Sequence, residues 1–135
     1  MTGIDQQLLD AAKDVRKNAH APYSKFFVGA AILADDGKIY AGCNVENAAY
    51  PQGNCAEASA ISAMLAGGGR RIKAILTTGN GQEPVTPCGG CRQRIREFAD
   101  LDVPVTCIGA DGGDALETNL QQLLPHSFGP EFLDK

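Results

Sequence analysis

Two short stretches, Cys55-Ala56-Glu57 and Pro87-Cys88-Gly89-Gly90-Cys91, constrain this chain more than anything else in it. Each stands at the head of a segment with helical spacing. Cys55 opens an alanine-rich run with apolar residues at Ile61, Met64 and Leu65, stopped by Gly67-Gly68-Gly69. Pro87-Cys88 opens a second, which continues through Ile95 and Phe98. A thiolate at a helix start is stabilised by the helix dipole and by unpaired backbone N–H groups. Cys88 and Cys91 can reach one ion from a single helical turn, and Cys55 supplies a third sulfur. Three protein ligands with a place left for water is the donor set of a catalytic zinc site rather than a structural one. Glu57 shares the first turn with Cys55 but points elsewhere, which sets a carboxylate beside the metal without making it a ligand. Any fold of this chain must bring two helix beginnings to one point.

The remaining pattern supplies a scaffold for that convergence. Ile4, Leu8, Ala11, Ala12 and Val15 mark an amphipathic helix that Ala21-Pro22-Tyr23-Ser24 interrupts. Strands are expected at Phe26–Leu33, at Ile39–Cys43 after the turn Asp35-Asp36-Gly37-Lys38, at Lys73–Thr78 and at Val103–Ile108. Asn44–Asn54 reads as an irregular loop, and a short last helix is expected over Leu116–Leu124. The order implies one α/β domain over residues 1–135, a mixed sheet with helices packed on it.

Composition narrows the function. The formal net charge is −4 and no basic run exceeds the pair Arg70-Arg71, so no groove for a nucleic acid polymer is expected. The N-terminal segment reads as neither a signal peptide nor a membrane span, and no other apolar stretch approaches membrane length. A cytoplasmic protein with reduced cysteines and a small-molecule substrate is the expectation. The count of five cysteines also fits poorly with a closed set of disulfides.

The spacing C-A-E followed by P-C-G-G-C is the three-cysteine form of the zinc deaminase pattern. With YSKFFVGAA at Tyr23–Ala31, GCNVENAAY at Gly42–Tyr50, PCGGCRQ at Pro87–Gln93 and LLPHSFGP at Leu123–Pro130, the chain resembles the small homotetrameric cytidine deaminases over nearly its whole length. That resemblance implies a three-layer α-β-α fold with about five strands and a zinc ion on Cys55, Cys88 and Cys91. It makes Glu57 the proton shuttle for hydrolytic loss of the amino group from cytidine or deoxycytidine in pyrimidine salvage. It also implies that Asn44 and Glu46 bind the ribose hydroxyls and that Phe26 packs on the pyrimidine. The backbone near Ala56 and Cys88 would meet the base edge, and Phe128 would reach into a neighbouring subunit's site.

Two departures stand out. Many bacterial relatives carry Arg directly after C-A-E, where this chain has Ala58; the excess thiolate charge is then expected to be offset mostly by the two helix N-termini, the alternatives being Arg92 or no offset at all. The stretch Pro51–Asn54 also differs, which leaves open a related substrate such as a blasticidin-type or modified cytosine nucleoside. A structural zinc module would need a fourth Cys or His nearby, and neither His20 nor His126 is placed for it. A thioredoxin-like role for Cys88 and Cys91 leaves Cys55 and Glu57 without a purpose. Cys43 and Cys107 fall in apolar strands and read as core residues.

Overall fold

The computed structural model describes residues 3–133. Its elements are α1 (Gly3–Arg16), β1 (Gly29–Ala34), β2 (Ile39–Cys43), α2 (Ala56–Ala66), β3 (Ile72–Gly79), α3 (Gly89–Phe98), β4 (Pro104–Gly109), β5 (Gly112–Asn119) and α4 (Leu120–Leu123). The strands form one sheet in the order β2-β1-β3-β4-β5. Neighbours are antiparallel except β3 and β4, which are parallel.

This order fixes directions. Because β1 runs against both β2 and β3, those two point the same way as each other and as β4. Their carboxyl ends share one edge of the sheet, and the loops after β2 and β3 lead there into α2 and α3. The segment entering β1 arrives at the same edge. Crevices at strand carboxyl ends are where open α/β sheets bind ligands.

Alternation along the strands builds two apolar faces. Ala30, Ile32, Ile75 and Val105 pack under Ala60, Ile61 and Met64 of α2 and Ile95 of α3. Ala31 and Leu76 face the other way, onto Leu8, Leu9 and Ala12 of α1. Helices therefore cover both sides, giving the three layers expected. The side chain of Ile4, assigned by its spacing to the same helical face, lies outside the described residues.

Helix α2 sits close on the sheet because Gly42 lets it. A Cβ at Gly42 would lie 2.3 Å from the amide nitrogen of Ala60, backbone against backbone. That contact sets the height of α2 and thus of the residues at its start.

Two boundaries differ from those read in the sequence. The ladder of β1 begins at Gly29, not Phe26. Lys25 takes a left-handed conformation (φ 61°), and the next amides bond to side chains: Phe27 N–H to Asn80 Oδ1 and Val28 N–H to Asn44 Oδ1. The expected last helix is wrong over Leu116–Asn119, which belongs to β5; only Leu120–Leu123 is helical. Strand β5 is an edge with residues 113–117 exposed, so it carries no alternation for a sequence pattern to detect. Its pairing with β4, Cys107 opposite Leu116 and Val105 opposite Thr118, decides it. Asn119 then accepts a bond from the Gln122 amide and starts the helix there.

Gly42→Ala should force α2 off the sheet and lower unfolding stability by about 1–3 kcal/mol, read from denaturant titration.

Candidate active site

Cys55 is the residue preceding the first turn of α2, and Cys88 holds the same place at α3. Neither sulfur is taken up by an amide of its own helix. Cys91 lies in the first turn of α3 and is fully buried. Their Sγ atoms all fall within 4.8 Å of one another, and those of Cys55 and Cys88 are 4.0 Å apart. Among the described residues, this is the group of metal-binding side chains so arranged.

Such crowding has an electrostatic consequence. Hydrogen bonds from the Cys91 and Cys88 thiols stabilise a thiolate at Cys55, lowering its pKa to about 6. The Cys91 proton, held by Cys55 and by burial, is pushed up instead. The first negative charge forms easily, whereas three together need a cation among them. A compact set of three sulfurs at two helix starts fits zinc, and among the described residues no fourth Cys or His completes a closed structural set. Cys107 is packed in the core as expected, whereas Cys43, expected there too, is only half-buried because β2 is an edge strand.

Beside the sulfurs is a cavity of about 340 Å³. Phe26, Asn44, Glu46, Ala56 and Glu57 all line it, together with Cys55 and Cys88. Its size lies at the lower end of small-molecule sites. Glu57 is only 5% exposed. Burial raises its pKa, its own backbone N–H opposes that, the charge at Cys55 adds to the rise and Arg94 offsets part of it. The site thus holds a carboxyl group more basic than usual.

Asn44 and Glu46 each spend polar atoms on the segment before β1. Asn44 accepts from Val28 N–H and donates to the Phe26 carbonyl. Glu46 accepts from the amides of Tyr23 and Ser24, and bonds from Ser24 keep it ionised. Both residues are thereby fixed in the cavity wall. A second hollow of about 390 Å³ adjoins it, sharing Ser24 and Glu46 and adding Tyr23, Tyr50 and Gly53. The Pro51–Asn54 stretch reaches this outer hollow through Gly53 and does not line the inner cavity.

Val85 and Thr86, which also line the inner cavity from the loop before α3, are not among the residues that the sequence singles out. Loop residues without periodicity leave no such signal. Nor is Arg94 among them; its Nη1 donates to Cys91 Sγ at 3.7 Å. Arg92, considered as the source of positive charge, is committed elsewhere: it donates to the carbonyls of Pro87 and Leu123 and to Thr86 Oγ1.

Phe128 lies outside this chain's cavity. It is 56% exposed and stacks on Phe132 with ring centroids 5.4 Å apart. Its segment is strapped to α3: Gln93 donates to the Phe128 carbonyl, and Arg96 donates to Ser127 and pairs with Glu131. The Arg96 guanidinium packs close over Gly129, in space that a Cβ there would enter.

The family model for the cytidine and deoxycytidylate deaminase zinc-binding region matches residues 2–107. The chain belongs to that family. A cytidine deaminase of Sporosarcina psychrophila is 45% identical over 128 residues, covering 95% of this chain and 93% of that one. Among solved structures, cytidine deaminase from Burkholderia pseudomallei superposes with a TM-score of 0.86 at 43% identity, covering 95% of this chain and all of the other. The enzyme from Mycobacterium tuberculosis gives 0.80 at 34% identity, covering 96% and 99%. Zinc is the cofactor that this family's motif binds, and the cysteine cluster has the donors for it.

Cys88→Ala should leave two sulfurs that no longer retain zinc; elemental analysis of dialysed protein should find the metal nearly absent while the circular dichroism of the fold persists.

Proposed function

We propose that this protein hydrolyses the amino group from cytidine and deoxycytidine, giving uridine or deoxyuridine and ammonia. The observation that carries this is the placing of the buried Glu57 carboxyl in one cavity with Cys55 and Cys88. The curated relatives, named as cytidine deaminases, support the same substrate class. Zinc, when held by Cys55, Cys88 and Cys91, supplies the Lewis acidity that makes water a nucleophile near neutral pH.

The rest of the chemistry belongs to side chains. Glu57 takes a proton from water as oxygen adds to C4, and delivers it to N3 of the ring. It then carries the second proton from that oxygen to the departing amino group, so that water and cytidine become uridine and ammonia. A raised pKa suits a group that must alternate between acid and base in this way. Phe26, 41% exposed at the cavity, offers a face for the pyrimidine. The backbone at Ala56 and Cys88 meets the base edge. Asn44 and Glu46 hold the sugar hydroxyls, the ionised Glu46 acting as acceptor.

We further propose a homotetramer with shared sites. Phe128 is exposed, fixed on a strapped segment and not part of its own cavity's lining, which suits an aromatic that closes a neighbour's. Pyrimidine salvage in the cytoplasm is the setting that reduced thiolates and a free nucleoside fit.

Glu57→Gln should keep its zinc and lose turnover by about 10²- to 10⁴-fold, measured as ammonia release from cytidine; near-normal activity would remove the proton shuttle. Phe128→Ala should be weak alone, yet co-assembly with Glu57→Gln chains should regain activity that neither parent has. No recovery in mixed oligomers would overturn the shared site.

A further inference from the structure

The three thiolates outweigh the charge of one zinc ion, and this chain has no side chain beside Glu57 to correct that. Ala58, the next residue along α2, is buried and apolar. Helix N-termini contribute only partial positive charge. Of the two arginines near the cysteines on α3, Arg92 spends its guanidinium on the loop before α3 and on α4. Arg94 does not. Its Nη1 lies 3.7 Å from Cys91 Sγ, its one hydrogen bond among the described residues.

The surroundings are shaped for this. The guanidinium folds back along the first turn of α3, where Gly90 has no side chain; a Cβ there would sit 3.1 Å from Nη1. Arg94 and Ala58 line a common groove of about 490 Å³ between α2 and α3. From the α3 wall of that groove the Arg94 guanidinium reaches Cys91, and Ala58 stands on the wall facing it. Arg94 is absent from the residues lining the nucleoside cavity, which Cys55 and Cys88 border.

We propose that Arg94 is a positioning residue for the zinc site, donating to Cys91 so as to draw electron density from its sulfur and balance the cluster's negative charge. It takes from α3 the place that a cation next to Glu57 would take from α2. A sulfur that accepts an N–H bond donates less strongly to a metal, leaving the metal the stronger Lewis acid. Outer contacts of this type commonly change metal affinity or activity by about 10- to 100-fold.

The test compares wild type, Arg94→Gln, Arg94→Lys and the double variant Arg94→Gln with Ala58→Arg. Each is assayed for kcat and KM with cytidine as the zinc protein. Each is also prepared with cobalt(II) in place of zinc, to read the sulfur-to-cobalt charge-transfer band. Arg94→Gln should lower kcat by about 10- to 100-fold with KM unchanged, and move the band to longer wavelength. Arg94→Lys should keep more of both, and Ala58→Arg should return kcat and band toward wild type. An unmoved band in Arg94→Gln, or a wild-type kcat, would overturn the proposal. The band does not depend on turnover. Wild-type protein that binds cobalt but releases no ammonia would therefore refute the deaminase reading and leave this comparison standing.

Discussion

Everything at the site depends on two helices beginning at the same edge of one sheet. The carboxyl ends of β2 and β3 lie together because β1 runs between them in the opposite sense. Loops from those ends start α2 and α3, and the cysteines sit at both starts. Packing of Ala60, Ile61, Met64 and Ile95 on the sheet holds the helices in register, and the absence of a side chain at Gly42 lets α2 approach. A sulfur cluster within 4.8 Å is thus a product of core packing at one remove.

The same edge receives the chain entering β1, and polar side chains secure it. Asn44 and Asn80 bond the amides and carbonyls of residues that have left the ladder, and Glu46 gathers the amides of Tyr23 and Ser24. Buried or half-buried backbone groups need partners, and these side chains provide them where the sheet does not. Phe26 is held over the cavity as a result. Asn44 and Glu46 thereby combine two tasks, bracing the wall and presenting polar atoms within it.

Electrostatics divides the site into two sides. Glu57, buried and close to the sulfur charge, keeps a proton more tightly than a free carboxyl. On the opposite side, Arg94 reaches the sulfur of Cys91 from the solvent groove. The basic carboxyl and the cation that donates to sulfur therefore come from different elements, α2 and α3, around one cluster.

The metal set, the carboxylate beside it and the helices that carry them were legible in the residues, because C-A-E and P-C-G-G-C combine reactive groups with helix-start signals at fixed local spacing. The α1 stripe and the inner strands β1, β3 and β4 were legible because burial imposes periodicity, and the edge strand β2 because the turn Asp35-Asp36-Gly37-Lys38 announces it. Strand β5 was not, since an exposed edge is defined by pairing with β4 rather than by its own pattern. The cation that touches the sulfurs was missed as well, because nothing in the sequence distinguishes Arg92, turned inward to carbonyls, from Arg94, turned to Cys91. Sequence alone determined which chemical groups the chain owns and which helices begin with them. Only the tertiary structure decided what stands next to what, because strand direction, close helix packing and side-chain orientation are settled by contacts between residues far apart in the chain.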